Sequence, residues 1–284
     1  MRRKILLPTD FSTNASRAID YALELYKDEH CVFYLLNVYY FNSKSIENIV
    51  EMVPGTQIYE TAKGDSASGL AKVLDILVLK RNNNPKHSFQ TITTFNSPLE
   101  AIKVAVEEKD IELIVMGTKG TTKSKRDVFG STAIGVMEKV RNCPVIVVSE
   151  SVKVHLPKEI VFPTSYKTHF KKRELAYLID IAKRCKASIK VLHIGTEDQL
   201  DEEQLNGKRL LTEYFAYVNH SFHFLSNISV PEAINCFVES RESDMVAFIN
   251  KKHELFGSFL SRPLVKEISF DSRVPILVMH DLRN

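Results

Sequence analysis

Residues 4–38 read KILLPTDFSTNASRAIDYALELYKDEHCVFYLLNV, and residues 159–194 read EIVFPTSYKTHFKKRELAYLIDIAKRCKASIKVLHI. Each stretch opens with a short apolar run that ends in Pro-Thr, continues through a segment of helical period and closes on a second apolar run. The ends of the two halves also agree, because CPVIVV at 143–148 corresponds to VPILVM at 274–279. Self-similarity over so long a period indicates a duplicated structural unit.

Both halves alternate short apolar runs, rich in β-branched residues, with segments of helical period, which is typical of βαβ units and a parallel sheet. The runs LIVM at 113–116 and VIVV at 145–148 show no polar alternation, as expected of strands that are covered on both faces. We therefore predict an α/β fold with two Rossmann-like domains, each a five-stranded parallel sheet with helices on both faces. The domains are expected at 1–150 and 158–284, joined by the polar segment 150–158.

The predicted strands lie near 3–8, 31–38, 87–94, 112–116 and 144–149, and then near 159–163, 188–194, 220–227, 244–249 and 274–279. The predicted helices lie near 12–28, 59–81, 97–109 and 131–141, and then near 167–185, 197–218, 230–240 and 260–270. The insertion 39–58 has no counterpart of equal length in the second half, and is interpreted as either a lid or an interface.

Composition excludes several classes of protein. A chain of 284 residues with 44% hydrophobic and 26% charged residues has an ordinary globular balance, and its length suits two domains. The net charge of +3 is too small to require a nucleic-acid partner. No apolar run reaches the ~18 residues of a membrane span, and the apolar run in MRRKILLPTDF is too short for a signal peptide, so we expect a cytoplasmic protein without a membrane partner.

Metal and thiol chemistry are not indicated by the sequence. The nine histidines form no H-x-x-x-H pair, and the four cysteines form no C-x-x-C pair, so no metal ligands are predicted and the thiols are expected to be reduced and buried. No G-x-S-x-G elbow points to covalent catalysis, and no catalytic residue is predicted.

The stretch with the clearest chemical meaning is MGTKGTTKSKRDVFGST at 116–132, which follows a predicted strand and runs into a predicted helix. Gly117 and Gly120 let the backbone turn sharply, so that its N–H groups approach a ligand closely. The helix that starts after Gly130 offers unpaired N–H groups and a positive dipole end, which favour phosphate, and the hydroxyls of Ser131 and Thr132 add donors.

Basic side chains lie between these glycines. For any one of them a solvated loop lysine is the simpler interpretation, but together they favour an anionic ligand. The residues are Lys119, Lys123, Lys125 and Arg126.

This stretch resembles the universal stress protein family, whose ATP-binding members carry Gly, two residues, Gly, nine residues, Gly and then Ser or Thr. Gly117, Gly120, Gly130 and Ser131 match each element. The resemblance covers the whole chain as two family-like halves, and it implies the strand order 3-2-1-4-5 in each. It also implies ATP as ligand, with Mg²⁺, and a homodimer through the final strands. In a tandem chain those two final strands can instead pair with each other, as an internal pseudo-dimer.

The resemblance also assigns roles outside the glycine stretch. Asp10 matches the family aspartate that contacts the nucleoside, although it is also placed to cap the following helix. Val38 matches the backbone position that reads adenine, although a core valine would look the same. Pro8 and Thr9 line the same strand end, and Met116 opens the glycine motif.

The second half departs from the pattern. FINKK at 248–252 replaces MGTKG, so that Ile249 and Lys252 stand where the first half has glycines, and Ser165 replaces Asp10. Alignment on the final strand places Ser261, Arg262 and Pro263 opposite Gly130, Ser131 and Thr132. We predict a second domain that folds alike but does not bind ATP.

Three functions remain open from the sequence. The first is a stress-response or signalling protein in which ATP acts as a conformational or oligomerisation ligand. The second is an ATPase or phosphotransferase of low turnover, assisted by Asp127 or Asp10. The third is a structural scaffold with a vestigial motif.

Overall fold

The computed structural model describes residues 2–39, 54–80, 84–119, 129–167, 170–250 and 273–280. The strands of the described residues are β1 Arg3–Pro8, β2 Cys31–Tyr39, β3 His87–Phe95, β4 Leu113–Gly117, β5 Val145–Val148, β6 Glu159–Pro163, β7 Ser188–Ile194, β8 His220–Leu225, β9 Met245–Asn250 and β10 Ile276–His280. The helices are α1 Thr13–Leu25, α2 Gln57–Lys80, α3 Pro98–Lys109, α4 Ser131–Lys139, α5 Ala176–Cys185, α6 Glu202–Tyr214 and α7 Val230–Arg241, with a 3₁₀ turn at Glu197–Gln199.

The strands form one ten-stranded sheet in the order β3-β2-β1-β4-β5-β10-β9-β6-β7-β8. Within each half the order is 3-2-1-4-5 and the pairing is parallel, so the predicted α/β fold is confirmed. The final strands β5 and β10 pair antiparallel, with Leu277 opposite Ile146. Of the two arrangements considered for these strands, the chain therefore has the internal pairing, and the two sheets are continuous.

Apolar side chains cover both faces of this sheet. Along β1, Ile5 and Leu7 face the core layer that α1, α2, α5 and α6 cover, whereas Leu6 faces the layer that α3, α4 and α7 cover. Both layers run across the two halves. Burial on both faces explains why the strands of this chain read as unbroken apolar runs.

Charged and aromatic groups also join the halves on the α1 face. Arg3 of β1 forms an ion pair with Asp180 of α5, at 2.8 Å between Nη2 and Oδ1. Arg184 of α5 bonds the same carboxylate, and its guanidinium lies 4.2 Å from the ring centroid of Tyr26. Burial raises the pKa of Tyr26 to about 12, against the opposing effect of Arg184. The buried phenol is therefore neutral beside the cation.

Two predicted helices differ from the structure. The helix predicted at 167–185 begins only at Ala176, because Lys167 stands where the first half has Ser12. The Ser12 side chain accepts the N–H of Ala15 at 3.1 Å and so starts α1, whereas a lysine offers no acceptor. The helix predicted at 197–218 is divided into the 3₁₀ turn and α6 by Asp201, which forms a capping box with Gln204.

The helix predicted at 260–270 and most of the insertion 39–58 lie outside the described residues. No helix within the described ranges combines the length and the apolar character that crossing a bilayer requires.

Candidate functional site

The Pro-Thr step at the end of β1 builds a tight turn. The Thr9 N–H donates to the Leu36 carbonyl at 2.8 Å, and the Thr9 carbonyl accepts from Asn37 Nδ2 at 2.7 Å. Thr9 Oγ1 accepts the N–H of Phe11 at 3.0 Å, and Phe11 adopts a left-handed φ of 64°. Pro8 pairs with Leu36 across the strands.

The second half repeats this turn in detail. The Tyr166 N–H donates to Thr164 Oγ1 at 3.0 Å, and Tyr166 has a φ of 61°. His193 Nδ1 lies 2.9 Å from the Thr164 carbonyl, the place that Asn37 takes in the first half. Because both halves build the turn and only one carries the glycine motif, the Pro-Thr signature of the repeat encodes backbone geometry.

Asp10 lies in this turn, half-buried, and its Oδ1 accepts the N–H of Ser12 at 3.2 Å. The N-cap of α1 is Ser12 itself. Asp10 therefore stabilises the turn before the helix, which places its carboxylate at the carboxyl edge of the sheet beside β4.

The end of β4 packs tightly against the start of α1. A Cβ built on Gly117 would lie 3.0 Å from Asn14 Cγ and 3.2 Å from the Asn14 carbonyl carbon. These distances are shorter than nine in ten real Cβ contacts, so Asn14 would have to shift by a few tenths of an ångström to admit a side chain at Gly117. The packing against α1 therefore favours glycine at this position. Met116, the preceding residue, is buried in the core layer of α3 and α4.

Asn14 holds the first residues after β4. Its Nδ2 donates to Thr118 Oγ1 at 3.0 Å and to the Lys119 carbonyl at 2.9 Å, and only 7% of the residue is exposed. The sequence-based reasoning missed this residue. The available signal was its position on the buried stripe of α1, where a polar residue is unusual. That stripe is Asn14, Ala18, Tyr21 and Leu25.

The start of α4 is fixed by the same strand end. The Gly130 N–H donates to the Thr118 carbonyl at 2.7 Å, and the Thr118 N–H donates to the Val148 carbonyl at 3.0 Å. Gly130 is the N-cap and makes no side-chain cap, and the first turn of α4 contains no acidic residue. The first-turn N–H groups have no intrahelical acceptors, so this helix start favours an anion. Ser131 is exposed and Thr132 half-buried.

The structure brings together most of the predicted site residues. β1 pairs with both β2 and β4, so Pro8, Thr9 and Asp10 lie beside the end of β4, and the Thr118–Gly130 bond brings α4 to the same edge. Val38 lies one strand away, partly buried against the layer that contains Met116. Lys119 is half-buried at the end of the described stretch. Gly120, Lys123, Lys125, Arg126 and Asp127 lie outside the described residues.

The corresponding edge of the second half is different. Ile5 pairs with Leu113, and Ile160 pairs with Met245, so the registers of the two halves place Ile249 where the first half has Gly117. Ile249 is 6% exposed. In the same core layer as Ile249, the ring of Tyr166 stacks on His193 at 4.9 Å between centroids. Lys252, Ser261, Arg262 and Pro263 lie outside the described residues.

Comparison with known proteins agrees with this architecture. A family model described as the universal stress protein family matches residues 1–149. Universal stress protein MJ0531 of Methanocaldococcus jannaschii is 29% identical over 154 residues, which is 53% of this chain and 84% of that protein. Universal stress protein MJ0577 of the same organism is 26% identical over 155 residues, covering 52% and 95%.

Several solved structures match nearly the whole chain. A universal stress protein from Archaeoglobus fulgidus superposes with a TM-score of 0.67, at 18% identity, over 97% of both chains. At that identity the match supports the fold alone.

Proposed function

The chain belongs to the universal stress protein family, and we propose that its first half binds ATP, which acts as a conformational or oligomerisation ligand in a cytoplasmic stress response. The observation that carries this proposal is the start of α4. Its cap residue Gly130 is bonded at 2.7 Å to Thr118, so an acid-free helix N-terminus is held beside the ends of β1 and β4. Open α/β sheets bind ligands at this edge.

The roles of the residues follow from their chemistry. The first-turn amides of α4, with Ser131 and Thr132, would donate to phosphate oxygens. Lys119 would supply positive charge and Gly120 a backbone N–H. Asp10 would accept from ribose hydroxyls. Val38 would offer its backbone to the base, with Pro8, Thr9 and Met116 forming the floor of the site.

Magnesium would enter with the nucleotide. Among the described residues no three His, Cys, Asp or Glu side chains group as a metal site, so phosphate oxygens and water would supply most of its ligands. We favour binding over hydrolysis, because this proposal assigns Asp10 to the ribose hydroxyls and its Oδ1 already accepts the Ser12 N–H, which leaves it no part in activating water. A slow ATPase is the competing proposal.

The second half, 158–284, is proposed to lack a nucleotide site and to serve as the built-in partner of the first, 1–150. The side chain of Ile249 supports this proposal, because it stands where the first half needs a bare backbone beside its strand end. The antiparallel β5–β10 pairing supports the role of an internal partner.

Equilibrium binding tests the proposal. We expect purified protein to bind ATP with Mg²⁺, and Gly130→Val to weaken that binding by at least about tenfold, since a branched side chain would crowd the phosphate subsite. Gly135→Ala is the matched control in the same helix, because its Cβ would meet Leu99 at an ordinary 3.4 Å. Absence of ATP binding by the wild type would contradict the proposal, and phosphate release near ~1 per second would favour the ATPase.

A further inference from the structure

Asn250, the last residue of β9, belongs to the second half but bonds to α4 of the first. Its Nδ2 donates to the Met137 carbonyl at 2.9 Å, near the end of α4. Arg141, two residues beyond α4, donates from Nη2 to the Asn250 carbonyl at 3.0 Å. The last carbonyls of a helix have no intrahelical donors, so an amide N–H here satisfies an otherwise unpaired group.

Asn250 occupies the position in the second half that Thr118 occupies in the first. The strand registers that match Ile249 to Gly117 also match Asn250 to Thr118. Thr118 accepts the N–H of Gly130 at the start of α4, whereas Asn250 donates to Met137 near its end. Two equivalent strand-end residues, one from each half, therefore fix opposite ends of the same helix.

A short helix is sensitive to such fixation. α4 has only nine residues, so we expect a tilt at its end to move the amides at its start. Hydrogen bonds weaken steeply as the donor angle departs from linear, so phosphate contacts depend on the direction in which those amides point. The amide donor of Asn250 also lies at the negative end of the helix dipole.

We propose that Asn250 is a positioning residue for the phosphate subsite, through which the second half orients α4 and so sets the affinity for the phosphates of the nucleotide. This inference rests on the proposed ATP site. On this proposal the second half contributes to nucleotide binding through the end of β9. The equivalent strand end in the first half, at β4, lies in the proposed site itself.

The test compares nucleotides with and without phosphates. In Asn250→Ala we expect the affinity for ATP to fall about three- to tenfold, which corresponds to the loss of one hydrogen bond, while the affinity for adenosine stays unchanged. Hydrogen exchange of the α4 amides, measured without nucleotide, should become faster. Asn250→Asp is the second variant, because it keeps the size of the side chain but removes the donor; it should act in the same direction. Arg141 contacts the backbone carbonyl of Asn250, which both variants keep.

Asp180→Ala is the matched control. It removes an ion pair between the halves on the α1 face, with Arg3, and Asp180 makes no described contact with α4. We expect this variant to lower the unfolding midpoint without changing the ATP-to-adenosine affinity ratio or α4 exchange.

The outcomes separate this inference from the proposed function. Wild-type ATP binding together with an unchanged affinity ratio and unchanged α4 exchange in both Asn250 variants would overturn the role of Asn250 alone. An equal loss of ATP and adenosine affinity, or the same changes in Asp180→Ala, would also overturn it. A wild type that binds no nucleotide would overturn the proposed function and the affinity role together.

Discussion

Replacing Gly117 by alanine tests the packing at the centre of the candidate site. The added Cβ would lie 3.0 Å from Asn14 Cγ and 3.2 Å from both its Nδ2 and its carbonyl carbon. The side chain cannot simply rotate away, because Nδ2 already bonds Thr118 and Lys119. Either those two hydrogen bonds lengthen or the first turn of α1 moves outward.

The size of the effect follows from these contacts. Each neutral hydrogen bond contributes about 1 kcal/mol, and overpacking a tight site typically costs about 1–3 kcal/mol, so we expect Gly117→Ala to reduce the free energy of unfolding by about 1–3 kcal/mol. Gly135→Ala adds the same methyl group in α4, where the nearest atom is Leu99 Cδ2 at 3.4 Å. The gain in helix propensity should offset any crowding there. We therefore expect the free energy of unfolding of Gly135→Ala to stay the same or to rise by up to about 1 kcal/mol.

Urea unfolding followed by circular dichroism measures both variants, and ATP titration of the folded proteins gives the functional effect. We expect Gly117→Ala also to weaken the binding of ATP, because Lys119, whose carbonyl Asn14 holds, directly precedes Gly120 of the glycine motif. A Gly117→Ala protein as stable as Gly135→Ala would refute the role given to Asn14. Normal stability with lost ATP binding would show instead that the glycine acts toward the ligand only.

The remaining predictions concern stability and centre on Gly207 and His193 of the second half. Gly207→Ala should destabilise the protein by about 3 kcal/mol or more, since its Cβ would lie 2.2 Å from the Tyr166 carbonyl oxygen. Gly64→Ala, whose Cβ would meet nothing within 4 Å, should stabilise it by up to about 1 kcal/mol. Equal urea unfolding midpoints of the two variants would contradict this prediction. Burial lowers the pKa of His193 below its usual 6.5, so the unfolded chain binds its proton first and stability is lost as the pH falls below about 6.5, by at most about 1.4 kcal/mol per pH unit. His193→Asn should reduce the slope of the unfolding free energy against pH between pH 7 and 5. An unchanged slope in this variant would show that His193 does not cause the loss of stability.

The fold could be predicted from the sequence because the pattern of buried apolar strands occurs in both halves. Unbroken apolar runs such as 145–148 indicate strands that are buried on both faces, and the duplicated Pro-Thr step fixed how the halves correspond. The strand order came from the family resemblance. The helix at 167–185 was overestimated because its period continued through residues that lack a capping side chain, and periodicity does not detect a missing cap.

The candidate site was predictable where backbone chemistry has a sequence signature. Gly117, Gly130 and Ser131 could be selected by spacing, and the structure brings them to one edge. Asn14 and Asn250 could not be selected in this way, because each acts by reaching an element distant in sequence. Asn14 meets residues 104 and 105 positions away, and Asn250 meets one 113 positions away.

The pairing of β5 with β10 has a consequence for self-association. It uses the inner margins of both halves, so that among the described strands only β3 and β8 keep one side without a neighbour. The sequence of β3, HSFQTITTF, contains no lysine, glutamate or proline, the residues with which outer strands commonly discourage intermolecular β-pairing. Any further growth of this sheet from one molecule to the next would therefore have to begin at its outer rims.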